Sequence, residues 1–331
     1  MTARNPLIDG FGRRIDYVRL SVTDRCDLRC RYCMGENMVF APRRALLTID
    51  EMLVLGRALV ARGVRRIRLT GGEPLVRRGV LDLVRGLDGL RGEGLEEVTL
   101  TTNGTQLGGM AESLFAGGVR RINVSLDSRD PARFAEITRG GDLAKVLAGI
   151  EAAREAGMAI KINMVPLAGI NDDEIADMLV WCGAGGMDLS LIEAMPLGEI
   201  EDDRYARHLS LGVVKEALAA RFTLIPTLYR TGGPARYFEV AETGRRLGFI
   251  TPLTENFCAG CNRIRIAATG TVYGCLGHDQ KVELREVLRS EGGAGIDAAL
   301  DRLLAGKPLR HDFDIAAKAP AVARHMSVTG G

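Results

Sequence analysis

Tyr17-Val18-Arg19-Leu20-Ser21-Val22-Thr23-Asp24-Arg25-Cys26-Asp27-Leu28-Arg29-Cys30-Arg31-Tyr32-Cys33 carries a short apolar run, Tyr17–Val22, straight into a loop with three cysteines. Runs of the same kind return at 66–69, 98–102, 122–126, 160–165 and 189–194. Helix signals lie between them. Thr48 and Glu51 have the spacing of a capping box, as do Asn171 and Glu174, and Asp142 can cap a helix that Gly157 ends. Strand–helix alternation repeated about six times implies parallel βαβ units. The runs read as not strictly alternating in polarity, as expected of strands covered on both faces. An open doubly wound sheet and a barrel both fit. Polar residues stand at the C-terminal end of every run, where a barrel collects its site, and this favours the barrel.

After about residue 225 the rhythm changes. The runs 222–225, 237–240, 264–267 and 271–273 are short and separated by turns such as Gly232-Gly233-Pro234. The expected fold is α/β: an incomplete (β/α)6 TIM-like barrel over residues 5–225, closed by a C-terminal α+β segment over 226–331 with antiparallel strands and helices near 280–304. The tail from His325 has no local reason to be ordered.

The chain has 331 residues, 46% of them hydrophobic, enough for a sizeable core. Lys+Arg 44 against Asp+Glu 42 gives a net charge of +2, which does not suggest a general nucleic-acid binder. Any anion site must be local. The first fourteen residues lack an apolar signal core, and no run is long enough to span a bilayer, so a cytoplasmic protein is expected. Six of the seven cysteines fall into two tight groups, which metal binding in a reducing compartment explains better than disulfides. The seventh, Cys182, reads as a buried thiol.

Cys26, Cys30 and Cys33 on one loop can hold three irons of a cubane cluster and leave the fourth open to a ligand's amino and carboxylate groups. Zinc with a fourth ligand from elsewhere is the alternative, but three-then-two spacing is uncommon for zinc. Cys258, Cys261 and Cys275 form the second group. With His278 they also spell a Cys3His zinc pattern; beside the first group, a second cluster is the better reading.

The Cys-x3-Cys-x2-Cys loop, with Tyr32 before its last cysteine, resembles the signature of the radical S-adenosylmethionine enzymes. Gly71-Gly72-Glu73-Pro74 is similar to that family's glycine-rich motif. Its glycines would let the backbone approach the ligand, and Glu73 would support an ammonium group. The resemblance is closest to the GTP 3',8-cyclase subfamily, carried by Arg19–Cys26, Ile67–Leu75, Thr101-Thr102-Asn103-Gly104, Arg121–Asp127, Lys161-Ile162-Asn163, Cys261-Asn262-Arg263-Ile264-Arg265 and the closing Gly330-Gly331. It implies two 4Fe-4S clusters, with the second presenting its open iron to guanine. It also implies S-adenosylmethionine beside Ser125 and Met195, Thr101 and Ile264 at GTP, and a Gly-Gly tail reaching the active site. Two departures stand out: Gly35 follows Met34 where the family usually has proline after the loop, and Ser190 replaces an arginine on the sixth strand.

Arg19, Arg68, Lys161, Arg263 and Arg265 all fall on or beside strand segments. A covered interior is a poor place for unpaired charge, so their convergence implies a buried polyanion such as a triphosphate. In the alternative they pair with Glu73, Asp127 or Glu193. The resemblance implies that a 5'-deoxyadenosyl radical takes hydrogen from the ribose C3' of GTP and that the carbon radical adds to C8 of guanine. The product would be the cyclised dihydro-nucleotide of molybdopterin biosynthesis. A reductant protein, a downstream cyclic pyranopterin monophosphate synthase and a homodimer are the partners it allows. Another radical enzyme with an auxiliary cluster, acting on a peptide, and a zinc-stabilised binding protein are the rival readings.

Overall fold

The computed structural model describes residues 5–35, 37–200, 205–317 and 319–330. Its core is built by six strands: β1 (Tyr17–Ser21), β2 (Arg66–Thr70), β3 (Glu97–Thr102), β4 (Arg121–Ser125), β5 (Ala159–Met164) and β6 (Asp188–Ile192). Helices α1 (Ile49–Ala61), α2 (Val80–Asp88), α3 (Ala111–Ala116), α4 (Pro131–Thr138), α5 (Leu143–Glu155) and α6 (Ile175–Ala184) connect them in turn, with α4 and α5 both between β4 and β5. Thr48 Oγ1 accepts from Glu51 N at 3.1 Å and Glu51 returns the bond to Thr48 N at 2.7 Å, completing the capping box that starts α1. Asp142 caps α5 through Ala144 N.

The second expected box does not form. Asn171 takes the Leu167 N–H on its Oδ1 and donates its amide to the Asp127 carbonyl at 2.7 Å. Glu174 instead holds Ser128, the Arg129 N–H and Arg133. Both side chains of the apparent box are recruited by the loop after β4, a tertiary demand that outweighs a local cap.

The strands also differ from expectation in their polarity, which does alternate. Val18, Leu20, Ile67, Leu69, Val98, Leu100, Ile122, Val124, Ile160 and Ile162 belong to the main apolar core. The residues between them on these strands are polar: Arg19, Arg68, Thr99, Thr101, Asn123, Lys161 and Asn163. One face packs on helices and the other is a polar interior.

The C-terminal part adds α7 (Leu211–Ala219), β7 (Leu224–Pro226), β8 (Arg236–Val240), β9 (Arg245–Ile250), β10 (Arg263–Ile266), β11 (Thr271–Tyr273), β12 (Lys281–Glu283), α8 (Leu284–Glu291), α9 (Gly293–Ala305) and α10 (Met326–Thr329). These strands are not all antiparallel, as expected from sequence. The sheet runs β12-β11-β10-β1-β2-β3-β4-β5-β6-β9-β8-β7, with β10 parallel to β1 and β9 parallel to β6. One parallel strand is thus added at each edge of the six, and antiparallel strands follow outside. Arg19 of β1 and Arg263 of β10 line one cavity with Ile192 of β6 and Ile250 of β9. Strands far apart in the sheet meet across it, so the sheet curls into a partial barrel.

Candidate active site

Two cavities open inside the barrel. The first, about 170 Å³, receives Cys26, Cys30 and Cys33 from the loop after β1. Gly71, Gly72, Thr101, Ser125 and Met195 come to it from the ends of β2, β3, β4 and β6, and Tyr32 joins them. The second, about 130 Å³, gathers Cys258, Cys261 and Cys275 with Arg19, Arg263 and Arg265. Ile192, Met195 and Met326 line both.

The glycines of the 71–74 turn have a physical reason. A Cβ on Gly72 would stand 2.2 Å from the Arg25 carbonyl, and one on Gly71 2.4 Å from that of Thr23. Gly72 N and Glu73 N donate to those same two carbonyls, at Thr23 O and Arg25 O, each at 2.8 Å. What the missing side chains admit is therefore the cysteine loop itself, clamped onto the end of β2. Glu73 lies behind the cavity wall, fully buried. It accepts from Leu75 N, Thr102 Oγ1 and Asn103 N at 2.9, 2.8 and 2.6 Å. Burial raises its carboxyl to about 7. No cation pairs with it among the described residues.

The two cysteine sets sit in different fields. Burial pushes Cys26 up to about 12 and Cys33 to about 11, and raises Cys30 as well. Cys26 Sγ accepts from Leu28 N and from the Asn103 amide, both neutral. Burial would also raise Cys261, but Arg263 and Lys307 outweigh it and hold the thiol below its ordinary value. Backbone around the second set is gripped by cations: Arg13 donates to the Cys258 carbonyl at 2.7 Å and Arg324 to that of Cys275 at 3.3 Å. His278 turns away, with Nε2 3.0 Å from the Arg310 carbonyl and 3.5 Å from Asp312. Cys182 is buried on the inner side of α6, as expected.

The five cations converge. Arg265, Arg19 and Arg68 stand side by side in register across β10, β1 and β2. Arg68 donates to Thr101 Oγ1 at 3.2 Å and lies over the Tyr17 ring, and Lys161 donates to Tyr237 at 3.0 Å. Arg68 and Lys161 line neither cavity. None of the five forms an ion pair among the described residues. Glu73, Asp127 and Glu193 are occupied elsewhere: Asp127 by Tyr32 and Val165 N, Glu193 by Leu253 N and Thr254. Burial, then Arg265 and Arg68, depress Arg19 far below its ordinary value. Burial and Arg263 lower Arg265 to about 10, and burial with Arg68 and Arg121 lowers Lys161 to about 7. Mutually repelling buried cations either take an anion or are pushed toward losing a proton, as Lys161 is.

The side chain of Ile264 faces the outer core, so only its main chain is available to the interior. Ser190 is fully buried, in register with Asn163 and Gly248, and its hydroxyl has no partner among the described residues. Gly330 Cα approaches so closely that a Cβ there would stand 1.9 Å from Thr70 Oγ1. Gly331 lies outside the described residues. Sequence reasoning missed Met326, Tyr237, Asn163, Arg13, Arg324 and Lys307. The two-residue period along β5 would have found Asn163 from Lys161; the others depend on tertiary contacts.

The donor sets fit the groups that such a barrel holds. Each cavity opens onto three thiols, and Thr70 Oγ1, Asn163 Oδ1, Arg19 Nε and Arg263 Nε on their walls are buried without partners among the described residues. A partial parallel barrel with three cysteines after its first strand defines the radical S-adenosylmethionine class. Its superfamily model matches residues 20–182, and a Molybdenum Cofactor Synthesis C model matches 187–313. Streptococcus suis SuiB, solved with bound S-adenosylmethionine, shares the fold at TM-score 0.61 and 16% identity, over 88% of this chain and 67% of that one. Native anSMEcpe with bound AdoMet does so at TM-score 0.53 and 14% identity, over 91% and 94%. The GTP 3',8-cyclase of Erythrobacter litoralis (strain HTCC2594) is 56% identical, covering 99% of this chain and 100% of that one. That of Rhizobium etli (strain CIAT 652) is 55% identical over 98% and 94%. The chain belongs to the GTP 3',8-cyclase family.

Proposed function

We propose that the chain converts GTP to its 3',8-cyclised dihydro-nucleotide, the opening intermediate of molybdopterin synthesis. The observation that carries this reading is a set of five cations, Arg68, Lys161 and Arg263 buried and Arg19 and Arg265 half-buried, without carboxylate partners among the described residues, beside two chambers that each present three thiols. Cys26, Cys30 and Cys33 would hold a 4Fe-4S cluster, and Cys258, Cys261 and Cys275 a second. Bound at the open iron of the first cluster, S-adenosylmethionine supplies the 5'-deoxyadenosyl radical that begins the reaction.

The chain's own residues bind, orient and exclude. Gly71, Gly72, Tyr32, Ser125 and Met195 frame the S-adenosylmethionine side, with Glu73, held by Leu75 N, Thr102 and Asn103 N and paired with no cation among the described residues, placed to support the ammonium. Arg19, Arg68, Lys161, Arg263 and Arg265 take the triphosphate through charge-assisted hydrogen bonds. Thr101, hydrogen-bonded to Arg68, and the Ile264 main chain complete the GTP side. Apolar Ile192, Met195 and Met326 stand between the chambers, where water would quench a carbon radical. Gly330 brings the tail against Arg265, and Gly331 would extend it toward the substrate.

In this reading residues 5–225 form the radical-generating barrel and also lend Arg19, Arg68, Thr101 and Lys161 to the substrate, while 226–331 brings the second cysteine set, Arg263 and Arg265. The enzyme works in the cytoplasm with a separate reductant protein, and its product passes to cyclic pyranopterin monophosphate synthase. The test is an anaerobic assay with GTP, S-adenosylmethionine and reductant. Product carrying a new C3'–C8 bond is expected; release of 5'-deoxyadenosine without any cyclised nucleotide would overturn the substrate assignment.

A further inference from the structure

Lys307 follows α9 by two residues and is only 3% exposed. Its ammonium donates to the Gly274 carbonyl and lies 3.6 Å from Cys261 Sγ. No carboxylate pairs with it among the described residues. A buried ammonium without an anion is so costly that it neutralises or finds a partner. The exposed carbonyls at the end of α9 would attract a cation, but the ammonium bonds Gly274 and Cys261 instead. The negative group within its reach is a thiolate of the second cysteine set. Arg13 and Arg324 hold that set by backbone carbonyls, whereas Lys307 meets a sulfur. The first set shows no such contact: the donors to Cys26 Sγ are a main-chain N–H and the Asn103 amide.

We propose that Lys307 is a positioning residue for the second cluster, donating to the Cys261 sulfur and raising that cluster's reduction potential. The inference rests on the two-cluster reading above. Positive charge and hydrogen bonds at a cluster's sulfurs favour its more negative, reduced form, so they move the potential upward. The second cluster would then be easier to reduce than the same cluster without the lysine, while the first would be unaffected.

The experiment is an anaerobic redox titration followed by electron paramagnetic resonance, with iron counted, on the full chain and on Lys307→Met and Lys307→Arg. A wild-type chain that binds only about four irons would overturn the two-cluster reading itself. With about eight irons bound in all three proteins, the inference expects a negative shift of the second cluster's midpoint in Lys307→Met and a near-wild-type midpoint in Lys307→Arg. An unchanged midpoint in Lys307→Met would overturn it. Should Lys307→Met lose the second cluster alone, retention of that cluster at wild-type potential in Lys307→Arg supports the inference. Loss in both variants would reduce the lysine to packing and overturn it.

Discussion

Arg265 donates from Nη1 to the carbonyl oxygen of Gly330 at 2.5 Å, tying the C-terminal tail to the β10 end of the cationic row. The same short segment reaches the other chamber, whose wall Met326 helps to form. One turn of helix therefore touches both cysteine sets' surroundings. Gly330 adopts φ 76 and ψ 129, a conformation that glycine enters freely and other residues do not, and it has no room for a Cβ beside Thr70. Gly330→Ala should displace the tail. Cyclisation is expected to fall by about 10²-fold, the scale of a ~1 Å misplacement, with iron content and S-adenosylmethionine binding retained. Full-rate turnover by the variant would show the contact to be dispensable.

The two cysteine sets should be separable. Anaerobic iron analysis is expected to give about eight irons per chain, and Cys275→Ser about half of that. Reductive cleavage of S-adenosylmethionine should survive in this variant, because the first set is untouched. Stoichiometric zinc at Cys258, Cys261 and Cys275 in active protein would contradict the second cluster.

The cationic row should read phosphate rather than base. Arg19→Gln and Arg265→Gln are each expected to cost ~1.5–3 kcal/mol in GTP binding, the range for a hydrogen bond to a charged group. Guanosine binding should change much less. Equilibrium binding of GTP, GDP and guanosine to the three proteins measures this, and equal affinity of the wild type for guanosine and GTP would remove the triphosphate from the row.

Lys161 gives the site a pH signature. Its folded value of about 7 lies below the ordinary 10.5. Between those values the unfolded chain holds a proton that the folded, ligand-free chain does not, so this group makes the free protein more stable as pH rises through the window. A bound triphosphate favours the charged lysine and draws the proton back. Binding above about pH 7 should therefore take up a proton and weaken as pH rises. Calorimetry in buffers of different ionisation enthalpy detects the uptake, and Lys161→Met should abolish most of it. Uptake unchanged in that variant would assign the proton elsewhere.

Much of the barrel was legible because its signals are local. Six apolar runs, polar residues at their C-terminal ends and the cap of α1 are all written within a few residues of the elements they specify. The alternation of the strands was misread because the expected covering of both faces ignored a polar interior. β9 was missed because Arg245-Arg246 and Gly248 do not read as strand. Its partner is Asp188, which takes Arg246 on its carboxylate, and that relation exists only after folding. The direction of β10 was equally hidden, since pairing with β1 leaves no trace in nearby sequence. The cysteines and arginines announced themselves by residue type. Met326 and Lys307 did not, because an isolated methionine or lysine gains meaning only from what surrounds it.

The two flanking strands carry a consequence for how the chain comes to be made. As synthesis proceeds from the N-terminus, β1 emerges early with one edge open, and it stays open until Arg263–Ile266 has left the ribosome. β6 waits in the same way for Leu247–Ile250. Through that interval the nascent sheet offers two unpaired parallel edges, the kind that recruit other chains. The cysteines that close over the second chamber arrive with the strands that seal those edges. The emerging protein thus closes the edges of its barrel and brings in Cys258 and Cys261 in the same late stage of translation, and a message cut short upstream of β10 would yield a sticky, half-walled barrel.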